Sequence, residues 1–102
     1  WGLMRVKVLG KYWNFRFVSN LGLDKDGNTY LGHCDHPDNP HKAIKIKYGQ
    51  PLKEEFDTVL HETLHILFPQ ADEEFVEQSA SDITHILFKL YEIKRKDRKS
   101  ES

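Results

Sequence analysis

The sequence predicts an α+β fold: a small sheet of about four strands, antiparallel with a mixed sheet as the alternative, followed by an antiparallel two-helix hairpin. Three observations carry this reading. Apolar and polar residues alternate through the first half of the chain. From Pro51 the apolar residues recur at helical spacing instead, and Pro69 with Asp72 leaves room only for a tight turn between two helical runs. The 102 residues suit a single domain with one modest core, read as residues 1–93, with 94–102 as a charged tail.

Met4, Val6 and Val8 alternate with Arg5 and Lys7, and Trp13, Phe15 and Phe17 alternate with Tyr12, Asn14 and Arg16, so two half-buried strands are expected with a hairpin at Gly10. Asp24-Lys25-Asp26-Gly27-Asn28 is a turn cluster before a third strand at about 29–34. It is not an EF-hand loop, whose glycine stands at the sixth position. Pro37, Asn39 and Pro40 mark a surface loop. Ile44, Ile46 and Tyr48 then alternate with Lys45 and Lys47 as a fourth strand. In the first helix Pro51 suits the first turn, Phe56, Leu60, Leu64 and Leu67 form the apolar stripe, and Pro69 ends the run. In the second, Asp72 is the N-cap, Glu73 and Glu74 complement the helix dipole, and Val76, Ala80, Ile83, Leu87 and Leu90 form the stripe.

Hydrophobic residues at 38% and charged residues at 30% suit a globular chain rather than a disordered one. A net charge of −1 gives no argument for nucleic acid or an anionic membrane as partner; any such contact would have to be local. Cys34 is the one cysteine, which excludes an internal disulfide and fits a reducing compartment. No apolar run reaches a membrane span and no start resembles a signal peptide, so a cytoplasmic protein is expected; Trp1 in place of Met suggests a trimmed start.

His61-Glu62-Thr63-Leu64-His65 is the stretch that spells out a chemistry. Histidines four apart share one helix face and can both bind a tetrahedral Zn²⁺, while Glu62, rotated around the helix, can take a proton from water as general base. A catalytic zinc needs a third protein ligand. Counting about 100° per residue from Val76, Glu74 points to solvent, Asp72 is engaged as a cap, and Glu73 is the better free ligand. Cys34 in Gly32-His33-Cys34-Asp35-His36 is the rival, since a thiolate with two histidines is also a catalytic zinc set. His33, His36 and His41 could form a second site or simply line a polar loop, and His85 falls on the solvent side of its helix. The plain alternative for His61 and His65 is a pair of half-buried histidines on an amphipathic helix.

The run Leu60-His61-Glu62-Thr63-Leu64-His65-Ile66-Leu67-Phe68-Pro69, followed by Asp72-Glu73-Glu74-Phe75-Val76, resembles small gluzincin-type metallopeptidases of phage and bacterial genomes, relatives of the ImmA/IrrE-like and SprT-like groups. Cys34-Asp35-His36-Pro37 and Ile44-Lys45-Ile46 share the likeness, which covers about residues 29–93. It implies a minimal zincin-like domain, with a zinc site completed by the glutamate of an E-x-x-V pattern that matches from Glu73. Larger gluzincins place that glutamate much farther along the chain. The resemblance also implies an edge strand, at 29–34 or 43–48, that holds an extended peptide. A zinc peptidase acting on a peptide or protein is thus expected. The alternatives are a non-catalytic zinc-stabilised module for phage–host interaction, or a deformylase-like hydrolase with Cys34 on the metal.

Overall fold

The structure is a computed structural model that describes residues 4–96. β1 (Met4–Val8) and β2 (Lys11–Val18) form an antiparallel hairpin whose register pairs Val8 with Lys11. Leu9 and Gly10 alone turn the chain, both at positive φ (54° and 73°), which gives the hand of twist that two-residue hairpins need.

β3 (Gly32–Cys34) is shorter than the expected 29–34, because Thr29 bridges back to Leu23 and the Tyr30 N–H donates to the Gly22 carbonyl. That loop is tied by Asp24, whose carboxylate accepts from the Asp26 and Asn28 N–H groups at 2.9 Å, so the turn reading of this cluster holds. β4 (Ala43–Lys47) pairs in parallel with β2 and antiparallel with β3, in the order β1-β2-β4-β3. The sheet is therefore mixed. Residues 19–31 carry the chain past the position of β4 to lay β3 on the edge, and β4 returns between them. Of the two candidate edge segments, 43–48 is interior and β3 is the edge.

The inner face of the sheet buries Trp13, Phe15, Ile44 and Ile46 against Ile66, with Met4, Val6, Val8, Phe17, Cys34 and Val59 around them. These are the apolar members of the alternating runs, joined by two side chains of α1 (Leu52–Leu67). α2 (Glu73–Leu90) packs on α1 alone, through Leu64, Val76 and Ala80, with Leu60, Ala71 and Ile83 beside them. Phe56 and Phe88 meet edge to face at 5.2 Å.

Pro51 is the N-cap of α1, one position before the expected first turn, and Asp72 caps α2 by accepting from the Phe75 N–H at 2.8 Å. Two stripe members face solvent: Leu67 at the end of α1, where Ile66 takes the sheet side, and Leu90, which lies past the Phe56–Phe88 contact. Thr84 is buried in their place. The expected solvated tail is anchored at its start, because Arg95 donates to the Gln50 carbonyl at 2.6 Å and to Glu55 at 3.4 Å; residues 97–102 lie outside the described part. No helix among the described residues is long and apolar enough to cross a membrane.

Candidate metal centre

His61 and His65 stand one turn apart in the last two turns of α1, with ring centroids 4.7 Å apart and their Nε2 atoms 3.1 Å apart. Residues 68–72 turn the chain, the Asp72 cap starts α2, and Glu73 arrives in its first turn facing both rings. Its Oε1 lies 2.8 Å from His61 Nε2 and its Oε2 3.0 Å from His65 Nε2. Among the described residues these three form a group able to hold a metal ion, their donor atoms all within 4.8 Å of one another.

The geometry fits a tetrahedral ion. Two imidazole nitrogens each bound at about 2.0–2.1 Å stand about 3.4 Å apart at tetrahedral angles, close to the separation the histidines already hold. The histidine side chains are about a quarter exposed, at 20% and 26%, and Glu73 is 62% exposed, so this group lies open to water on one side. That suits a site with a free position rather than a closed structural one.

The rival donors lie outside this group. Asp72 is occupied as a cap. Cys34 is not a member of this group; burial and the negative charge of Glu62 push its thiol up to about 12. His33, on the outer side of β3, lies 3.5 Å from Asp35, and His36, in the loop that follows, lies 3.6 Å from Asp38; both are exposed. The backbone N–H of His41 donates to Asn39, and His85 is exposed, as its position opposite the stripe predicts.

Glu62 is 8% exposed, wedged between α1 and β3. Burial raises its carboxyl above the ordinary value, while His61, Cys34, His65 and His33 pull it back down. Gly32 and Glu62 line two hollows at once. One, of about 800 Å³, opens toward His61, Glu73 and Glu77; the other, of about 570 Å³, opens toward His65, Cys34 and Lys45. Among the described residues the larger cleft is lined by seven that carry carboxylates, Asp24, Glu54, Asp57, Glu62, Glu73, Glu74 and Glu77, and by no lysine or arginine.

Among the described residues no strand pairs with the outer edge of β3, which lies beside this centre. The Leu31 carbonyl accepts from Lys47, the Asp35 N–H donates to Ala43, and His33 pairs with Lys45 between them. Antiparallel alternation therefore turns the backbone groups of Gly32 and Cys34 away from β4, toward the open side.

Three neighbours of the centre were not singled out from sequence. Gly32 lies against Glu62, and the visible signal was a glycine inside a strand pattern. Asp57 lines the cleft one helical turn before His61, a spacing that could have marked it. Gln50 accepts from Thr58 at 3.0 Å and donates to the Lys47 carbonyl at 3.0 Å, which ties the end of β4 to α1; nothing local in the sequence announces it. Comparison with protein-family models, curated proteins and solved structures finds no match for the chain, so the likeness to small gluzincins rests on the quoted motifs.

Proposed function

We propose that this chain is a zinc-dependent peptidase in which His61, His65 and Glu73 hold the metal and Glu62 is the general base. The observation that carries the reading is the convergence of three donor atoms within 4.8 Å beside a carboxylate that is not one of them. Two imidazoles and a carboxylate suit zinc among the available divalent ions. When bound, zinc supplies a Lewis acid that lowers the pKa of water toward neutrality and draws charge from a carbonyl oxygen.

The remaining work falls to the protein. Glu62 accepts the proton of the attacking water and returns it to the departing amide nitrogen. Its buried seat between Gly32 and the helix fixes the carboxylate in one place, so little reorganisation is needed when the proton moves. The outward backbone groups of Gly32 and Cys34 hold an extended peptide as an added strand, presenting its carbonyl toward Glu62.

The test is metal content by mass spectrometry, on protein prepared without chelator or metal-affinity resin. About one zinc per chain is expected in the wild type, lost or greatly weakened in Glu73→Ala. Glu62→Gln should keep the metal and lose peptide hydrolysis. Zinc retained by Glu73→Ala would remove that residue from the ligand set, and unchanged turnover in Glu62→Gln would remove the general base.

A further inference from the structure

The outer face of the sheet carries a separate chemistry. Strand alternation turns Arg5 and Lys7 of β1, Tyr12 and Arg16 of β2, Lys45 and Lys47 of β4, and His33 of β3 away from the core. The α1 helix covers the opposite face and α2 touches only α1, so no described helix or strand packs on this one. It holds five cations. Among the described residues none of the five makes an ion pair with a carboxylate; Asp35, at the rim, faces His33 and bonds the Ala43 N–H.

These cations are not merely scattered. Arg16 and Lys45 stand directly opposite in the parallel register, and Lys45 is in turn opposite His33. Like charges facing across strands destabilise a sheet, and nothing described here neutralises them. Arg5 lies 4.5 Å and Lys7 5.5 Å from the centroid of the Tyr12 ring, which is itself more than half exposed. A net charge of −1 therefore hides a division: carboxylates in the cleft beneath the sheet, uncompensated cations on top.

We propose that this outer face binds single-stranded nucleic acid along its phosphate backbone, with Tyr12 as the stacking ring. Phosphates supply the missing counter-charge, and release of their condensed ions drives the association. The shape selects the single strand. Same-face side chains stand about 6.7 Å apart along a strand and about 4.8 Å apart across strands, forming a flat platform. Among the described residues no helix or ribbon projects from it to enter a duplex groove, whereas an exposed aromatic among cations is the arrangement that stacks unpaired bases. The inference does not require a bound metal, although Lys45 and His33 also line the smaller hollow beside Glu62 and His65.

Fluorescence anisotropy of a labelled oligothymidylate, titrated with the full chain over a series of salt concentrations, tests it. Four to five phosphate contacts at about −0.7 each give an expected log–log salt slope of about −3. Lys7→Ala/Arg16→Ala/Lys45→Ala should lower the slope magnitude by about 2 and weaken binding at least tenfold at low salt. Tyr12→Ala should weaken binding several-fold with the slope unchanged, since stacking is uncharged. If the triple variant does not fold, Arg5→Gln/Lys7→Gln on the exposed hairpin should lower the slope magnitude by about 1. The proposal is overturned by a wild type that shows no salt-dependent binding, by a slope that these variants leave alone, or by equal or tighter binding to a duplex of the same length or to phosphatidylserine vesicles.

Discussion

The Glu62 carboxylate fills the space that a side chain at position 32 would need. A Cβ on Gly32 would stand 2.9 Å from both Cγ and Oε2 of Glu62 and 2.8 Å from Cγ2 of Thr58. Strand and helix meet here with nothing between them but a hydrogen atom. Gly32→Ala is thus expected to push the Glu62 side chain out of its seat, at a cost of about 1–3 kcal/mol in stability. Zinc content should stay near wild type while peptide hydrolysis falls at least tenfold. Hydrolysis at the wild-type rate would mean that Glu62 need not sit where it does.

The cleft walls imply a charge preference. With seven carboxylates and no lysine or arginine among the described residues lining the larger hollow, the proposed peptidase should cleave peptides carrying Lys or Arg near the scissile bond faster than matched Glu-containing peptides. The ratio should shrink as salt is raised, because exposed charges are screened within about 10 Å at moderate ionic strength. Glu74→Lys/Glu77→Lys, which alters two wall residues outside the donor set, should reduce the preference by about tenfold. Measuring kcat/KM for the peptide pair at two salt concentrations decides it; equal values for both peptides in the wild type would reject it.

Cys34 gives a pH-dependent prediction. Its thiol pKa is raised to about 12, so the folded protein holds the protonated form well above the pH at which a free thiol ionises. Thiolate is the reactive species, and the raised pKa leaves little of it at pH 8. Alkylation by iodoacetamide, followed by mass spectrometry, should be slow in the metal-free folded chain and rapid after denaturation. By linkage, the stability contributed by this group is fully present below the unfolded thiol pKa and is lost as pH rises from about 9 toward 12. Wild type should therefore lose more stability than Cys34→Ala across that window, and parallel curves would contradict the assignment.

Thr84 is buried, and its hydroxyl has no hydrogen-bond partner among the described residues. An unpartnered buried hydroxyl is unfavourable by roughly 1–3 kcal/mol, and valine has nearly the same shape. Thr84→Val should stabilise the chain by about 1 kcal/mol, raising Tm by about 5 °C. A lower Tm in differential scanning fluorimetry would show that the hydroxyl is satisfied in solution.

Much of the centre is legible in the sequence because its signals are local. The spacing of His61 and His65 fixes their common face, Pro69 and Asp72 fix the turn, and the angle counted from Val76 selects Glu73 over Glu74. What fails to show is what depends on sequence-distant neighbours. Alternation in Ile44-Lys45-Ile46 tells which side chains point inward, but not that β4 lies parallel to β2 with β3 beyond it. The contact between Gly32 and Glu62 follows from that edge placement. Leu67 and Leu90 look like stripe members because periodicity does not record where the partner element ends. The cationic outer face was likewise written in Arg5, Lys7, Arg16, Lys45 and Lys47, but a whole-chain charge near zero averages it away.

The division of the centre between near and far parts of the chain bears on its order of assembly. His61, His65 and Glu73 belong to one helical hairpin, so bringing the donors together closes only the turn of residues 68–72. The strand that seats Glu62 must instead be delivered across the whole crossover, and the entropy of closing a loop rises with its length. The three-donor group can therefore form from neighbours in the chain, whereas Glu62 meets its strand only once the sheet is complete. Under the proposed function, an incompletely folded chain would hold its ion without being able to cut a peptide.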